Sequence, residues 1–172
     1  MNSLQSMLFA ASLFVQAISG AETAFPAVQF MDLNKNMVSV PGGLKGRKNL
    51  VIVAFLQKQQ EDINTWLKLL PAMMEGHPEL AYYEFPVIEK MNSLMRWVIS
   101  NGMRGGIPDK AQRERTITLY IDKKPFKEAL KIPDEKRIYL FMIDKTGEVL
   151  WRCEGPATPE KQQLLKEYLG TL

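Results

Sequence analysis

Residues 49–60 read NLVIVAFLQKQQ. Leu50, Val51, Ile52, Val53, Ala54 and Phe55 form an unbroken apolar run rich in β-branched side chains, the composition of a strand covered on both faces in a parallel or mixed sheet. A helix should follow, because Ile63, Trp66, Leu67, Leu70, Met73 and Met74 recur at helical spacing from about Gln59 to Glu75. Pro71 should kink or tighten it near the middle. A buried strand running into a helix start brings free backbone N–H groups and the positive end of the helix dipole to one turn, where a thiolate would be stabilised. That turn holds Gln57, Lys58, Gln59 and Gln60, and no nucleophile.

On the N-terminal side, residues 28–40 (VQFMDLNKNMVSV) suit two short strands turning around Asn34, Lys35 and Asn36, and residues 41–46 a loop into the central strand. On the other side, Gly76, His77 and Pro78 end the first helix, and residues 80–88 (LAYYEFPVI) have strand composition. A second helix is expected over 89–101, with Met91, Leu94, Met95, Val98 and Ile99 facing the core and Asn101 and Gly102 as its stop. Residues 103–115 (MRGGIPDKAQRER) read as a polar loop with three arginines. A strand at 116–121 and a short helix at about 124–130 follow. Residues 137–144 and 148–153 form a hairpin on Gly147, and a last helix opens on Thr158 and Pro159 and buries Leu164, Leu165, Tyr168 and Leu169.

With 172 residues, 46% of them hydrophobic and 24% charged, the chain has the makings of one globular domain with its own core. The net charge of +3 is spread among acids and forms no basic stripe, so no nucleic-acid partner is expected. Residues 1–21 contain no Lys, Arg, Asp or Glu, and the apolar block 7–15 (MLFAASLFV) leads to Ser19 and Ala21, small side chains at the −3 and −1 positions. This reads as a secretory signal peptide cut after Ala21, which would make 22–172 a periplasmic or secreted domain. The alternative is an uncleaved N-terminal membrane anchor, for which the block is short.

The one cysteine, Cys153, excludes an intrachain disulfide and lies at the end of a late strand, far along the chain from the turn at 57–60. Its plain reading is a semi-buried structural thiol, and its functional reading a one-cysteine thiol oxidoreductase or peroxidase. The single histidine, His77, sits before Pro78 in a helix-ending loop and makes a poor metal ligand. Ten methionines suggest copper, but Met73, Met74, Met91, Met95 and Met142 fall on expected core faces, so no metal is assigned. No phosphate-cradling glycine motif or other cofactor signature is present. Recognition remains. Gln57, Gln59 and Gln60 offer amide groups to a partner backbone, Met103, Ile107 and Pro108 apolar contact, and Arg104, Arg113 and Arg115 pairing with carboxylates. The competing reading is a solvated loop balanced by Asp109 and Glu114.

Stripped of the front hairpin and of the strand and helix at 116–130, the order β-α-β-α-β-β-α is that of a thioredoxin. The added unit lies where peroxiredoxin-like chains carry an insertion, so the expected fold is α/β, a thioredoxin-like domain of the peroxiredoxin type with an N-terminal β-hairpin and a mixed sheet flanked by helices. The run RWVISNGMRGGIPD, followed by RERTITLYID, resembles bacterial relatives of the mitochondrial ATP-synthase assembly factor, a thioredoxin-like family without the redox pair. The resemblance covers about 49–169. It is carried most specifically by Gly102, Met103, Arg104, Ile107 and Pro108, with Thr116, Thr118 and Tyr120 in the strand behind them. It implies a non-catalytic chaperone or assembly role toward a membrane-protein subunit. A signal peptide departs from a matrix protein and leaves the partner open.

Overall fold

β3, Lys48–Ala54, is the middle of a five-stranded sheet in a computed structural model that describes residues 23–172. The expected leader at 1–21 and its cleavage point lie outside the described residues. β3 pairs in parallel with β4, Leu80–Glu89, and antiparallel with β6, Tyr139–Asp144. β5, Leu119–Ile121, extends the β4 side in parallel, and β7, Val149–Glu154, extends the β6 side antiparallel, so the strand order is β5-β4-β3-β6-β7. The expected mixed sheet is present. Ahead of it, β1, Val28–Met31, and β2, Met37–Val40, form the antiparallel front hairpin, with Lys35 rather than an asparagine taking the positive φ of 70°.

Because side chains alternate along a strand, the apolar run of β3 feeds two cores. Val51, Val53 and Phe55 join Phe25, Phe85, Phe126, Tyr139 and Phe141 on one face, where Phe25 makes edge-on contacts with three other phenylalanines. Leu50, Ile52 and Ala54 join Ile63, Trp66, Leu70, Leu165 and Leu169 on the other. Those last five side chains come from α1, Gln60–Leu67, α2, Leu70–Met73, and α6, Pro159–Leu169. The expected kink is the break between α1 and α2, with Pro71 in the first turn of α2, where its missing N–H has no intrahelical acceptor to serve. Thr158 caps α6 by accepting from the Lys161 N–H, but Leu164 faces solvent while Leu165 and Leu169 are buried.

The segment between β4 and β5 departs furthest from expectation. α3, Ser93–Gly106, starts later than the sequence suggests, on the Asn92 side chain, and runs straight through Asn101 and Gly102. Nothing packs within 4 Å of a would-be Cβ on Gly102, Gly105 or Gly106. Glycine permits a stop without imposing one, at roughly 1 kcal/mol each in a helix interior. The stop comes at Ile107, extended at φ −117° and ψ 94°, because Pro108 behind it disfavours helical geometry there. Asp109 then caps α4, Lys110–Arg115, so the expected polar loop is largely helical. The expected core face of α3 is also corrected. The helix buries no residue, and Leu94, Met95, Trp97 and Val98 are exposed. α5, Lys123–Ala129, closes the β5 side with Phe126 in the first core.

Candidate functional site

The turn after β3 is a short 3-10 segment, Gln57–Gln59, leading into α1. Gln59 is buried, and its Oε1 accepts from the backbone N–H groups of Phe55 at 2.8 Å and Leu56 at 3.0 Å while its Nε2 donates to the Glu135 carbonyl at 2.8 Å. Both acceptor positions of its oxygen and one of its two amide N–H groups are spent on holding the turn to the segment ahead of β6. Gln59 is therefore a structural residue, which corrects its expected role at a partner surface. Leu56, Gln57, Lys58 and Gln60 remain exposed around it.

Beside this turn lies a group the sequence reading passed over. Glu84 sits in β4 opposite Ile52 of β3 and is buried. Gln60 Nε2 donates to its Oε2 at 3.4 Å and Gln112 Nε2 to its Oε1 at 3.5 Å, long contacts that link α1 and α4 through one carboxyl. Burial pushes the Glu84 carboxyl above its usual range, and these two donors pull it back only in part. The signal available in the sequence was an acid flanked by aromatic residues inside LAYYEFPVI.

The arginines expected to act together are separated. Arg113 Nε donates to Asn34 Oδ1 at 2.9 Å, and its Nη1 to the carbonyls of Ile107 and Pro108 at 3.0 and 3.1 Å. It ties the hairpin turn to the α3–α4 connection and is not a free cation for a partner. Arg115 lies over the Tyr82 ring, 4.7 Å from its centroid, and donates to the Tyr82 hydroxyl at 3.2 Å. It lines a cleft of about 470 Å³ beside the Lys45–Glu114 ion pair, at the starting ends of β3 and β4. Arg104 lines a second cleft of about 450 Å³ between α3 and the front hairpin. Met103 is half-buried, its sulfur accepting from Thr118 Oγ1 at 3.6 Å, whereas Ile107 is half-buried and Pro108 exposed where the chain turns into α4.

Cys153 lies in β7 across from Leu140 of β6, half-buried, with Sγ 3.9 Å from the Glu154 carbonyl. Burial raises its pKa above that of an ordinary thiol, opposite to what a nucleophilic cysteine needs. His77 is half-buried with Nδ1 3.3 Å from Glu79 Oε1.

No known family profile and no curated protein sequence matches the chain. Solved structures do. The thioredoxin domain of a thiol-disulfide oxidoreductase from Bacteroides vulgatus superposes with a TM-score of 0.53 at 16% identity, over 87% of this chain and 99% of that one. A thiol-disulfide oxidoreductase from Bacteroides fragilis gives 0.53 at 13% identity, over 84% and 98%. The exposed lipoprotein thioredoxin of Streptococcus pneumoniae gives 0.50 at 16%, over 86% and 100%. These likenesses show the fold: the chain is an α/β thioredoxin-like domain with an N-terminal hairpin, carrying a single cysteine and no paired thiol at the turn after its central strand.

Proposed function

We propose that this chain is a non-catalytic thioredoxin-like domain that acts outside the cytoplasm by binding another protein, as an assembly or folding factor. The observation that carries this reading is the chemistry of the turn after β3. The position where a reactive cysteine would gain from the helix start is occupied by exposed amide and lysine side chains around a buried Gln59 whose amide is bonded to the Phe55 and Leu56 N–H groups and the Glu135 carbonyl. The raised pKa of Cys153 supports the same reading over a one-cysteine oxidoreductase or peroxidase. Export is supported by the charge-free apolar leader in the sequence. A likeness to an exposed lipoprotein thioredoxin is consistent with it. A membrane-protein subunit as client follows from the resemblance of residues 101–122 to the ATP-synthase assembly factor family.

The test is photo-crosslinking in native cells from probes at Gln57 and Pro108, both exposed, read by mass spectrometry. One recurrent envelope protein is the expected result. Absence of any recurrent crosslink, combined with rapid alkylation of Cys153 in the native protein, would move the assignment to thiol chemistry. N-terminal sequencing of the mature protein tests the leader, with Glu22 expected as the first residue.

A further inference from the structure

α3 carries the largest exposed apolar side chains of the described residues, with Leu94 68% and Trp97 62% accessible. Opposite the Trp97 side of the helix, the front hairpin presents Met31 and Met37, a directly opposed cross-strand pair, both exposed. Between them lies the cleft of about 450 Å³, floored by the buried Tyr120 of edge strand β5 and the buried Thr118 just ahead of that strand. Helix and floor are pinned together, because the Tyr120 hydroxyl lies 2.9 Å from Ser100 Oγ and donates to the Arg96 carbonyl at 3.3 Å. Methionine is flexible and polarisable, so the Met31–Met37 wall can adapt to an entering side chain. A tryptophan left in water beside it is the kind of residue that anchors interfaces.

The charge of the cleft selects the occupant. Lys35, Arg96 and Arg104 line it, and none of them forms an ion pair among the described residues. The one acid in the lining, Asp32, is buried, and its carboxylate is taken up by the hairpin turn. Its Oδ1 accepts from the backbone N–H groups of Asn34 and Asn36 at 2.8 Å each, and its Oδ2 from Asn36 Nδ2 at 2.9 Å. An apolar trough edged by three cations complements apolar side chains flanked by carboxylates. A planar lipid surface would reach the crest of α3 at Leu94 and Val98 but not the recessed floor at Thr118 and Tyr120.

We infer that the cleft between α3 and the β1–β2 hairpin is the docking site for an acidic amphipathic segment of a protein partner. The apolar side chains of that segment enter between Trp97 and the Met31–Met37 pair, and its carboxylates meet Arg96, Arg104 and Lys35. This deepens the proposed function and rests on the reading that the chain binds protein.

The experiment titrates the full chain with two synthetic helical peptides that share a leucine face and differ only in their flanking residues, glutamate in one and lysine in the other. Tryptophan emission and calorimetry are followed together. The glutamate peptide is expected to shift emission to the blue and to bind at least about tenfold more tightly than the lysine peptide. Trp97→Phe removes the spectral change, assigning it to this tryptophan rather than to Trp66 or Trp151. Arg96→Glu with Arg104→Glu inverts the preference between the peptides. If that variant loses its fold by circular dichroism, Met31→Ala with Met37→Ala must weaken the glutamate peptide instead.

Equal binding of both peptides, or binding of neither, overturns the inference. A blue shift with phosphatidylglycerol vesicles and with neither peptide reassigns the face to a membrane, and self-association that hides Trp97 reassigns it to a second copy. A recurrent crosslinked partner in cells, without peptide selectivity here, defeats this cleft assignment while the protein-binding reading stands.

Discussion

Gln59 Oε1 accepts the backbone N–H of Phe55 at 2.8 Å, so a side chain at the end of the 3-10 turn, just ahead of α1, closes the end of the strand that feeds it. Gln59→Ala would leave the N–H groups of Phe55 and Leu56 and the carbonyl of Glu135 without this partner inside the fold. Leaving a buried polar group unpaired costs about 1–3 kcal/mol. Urea denaturation should show a loss of that size for Gln59→Ala and a change within about 0.5 kcal/mol for the exposed Gln57→Ala. Equal costs for the two would mean that Gln59 does not hold the turn.

Glu84 predicts a pH dependence of known sign. Its folded-state pKa is raised by burial above the unfolded value, so the protonated form is favoured in the fold. The stability it contributes is complete below the ordinary carboxylate pKa and is lost as pH rises through the raised one. Glu84→Gln keeps the shape and removes the titration. The variant should unfold at a higher temperature than the natural protein at neutral pH, with the gain shrinking as pH falls toward the ordinary carboxylate range. Because other groups titrate alike in both proteins, the difference in melting temperature isolates this carboxyl. A difference that stays flat with pH would show that Glu84 is solvated.

Why one acid escaped notice while the strand around it was plain follows from what each signal depends on. The two cores, the break at Pro71, the turn at Gly147 and the cap at Thr158 come from local periodicity and single-residue preferences, which a sequence displays directly. Gly147, for example, has a φ of +95°, and a Cβ there would lie 2.8 Å from the Phe25 carbonyl. α3 has a sound amphipathic pattern as well, but periodicity tells which residues share a face and not whether anything covers it. The site was less legible still. Gln59 and Arg113 resemble surface polar residues until the fold brings Glu135 and Asn34, distant in sequence, into hydrogen-bonding range.

Cys153 gives a chemical prediction. A thiol whose pKa is raised by burial carries less thiolate at neutral pH than a free cysteine and is also partly shielded. Iodoacetamide should modify native Cys153 more slowly than the urea-unfolded chain at neutral pH, and the native rate should still be rising with pH where that of a free thiol has levelled off. Cys153→Ser should leave partner binding intact. Loss of function in a stably folded Cys153→Ser variant would restore the thiol-enzyme reading.

Arg104 and Arg113 lie nine positions apart in sequence and should fail in opposite ways. Arg113 uses Nε on Asn34 and Nη1 on two backbone carbonyls, and its own carbonyl receives the Leu33 N–H at 3.1 Å. Hydrogen bonds from a charged donor are worth about 1.5–3 kcal/mol where they are shielded, and these are only partly so. Arg113→Ala should therefore cost about 1–2 kcal/mol and loosen the hairpin turn, seen as faster amide exchange at Leu33. Arg113→Lys should recover little of it, because a single ammonium cannot reproduce the fork of the guanidinium. Arg104, in the last turn of α3, complements the helix dipole and makes no side-chain hydrogen bond to the described residues, so Arg104→Ala should change stability by no more than about 0.5 kcal/mol. A stable Arg113→Ala protein, or an Arg104→Ala protein destabilised as much as Arg113→Ala, would reverse the division between the arginine that ties the hairpin turn to the α3–α4 connection and the one left free to meet a partner.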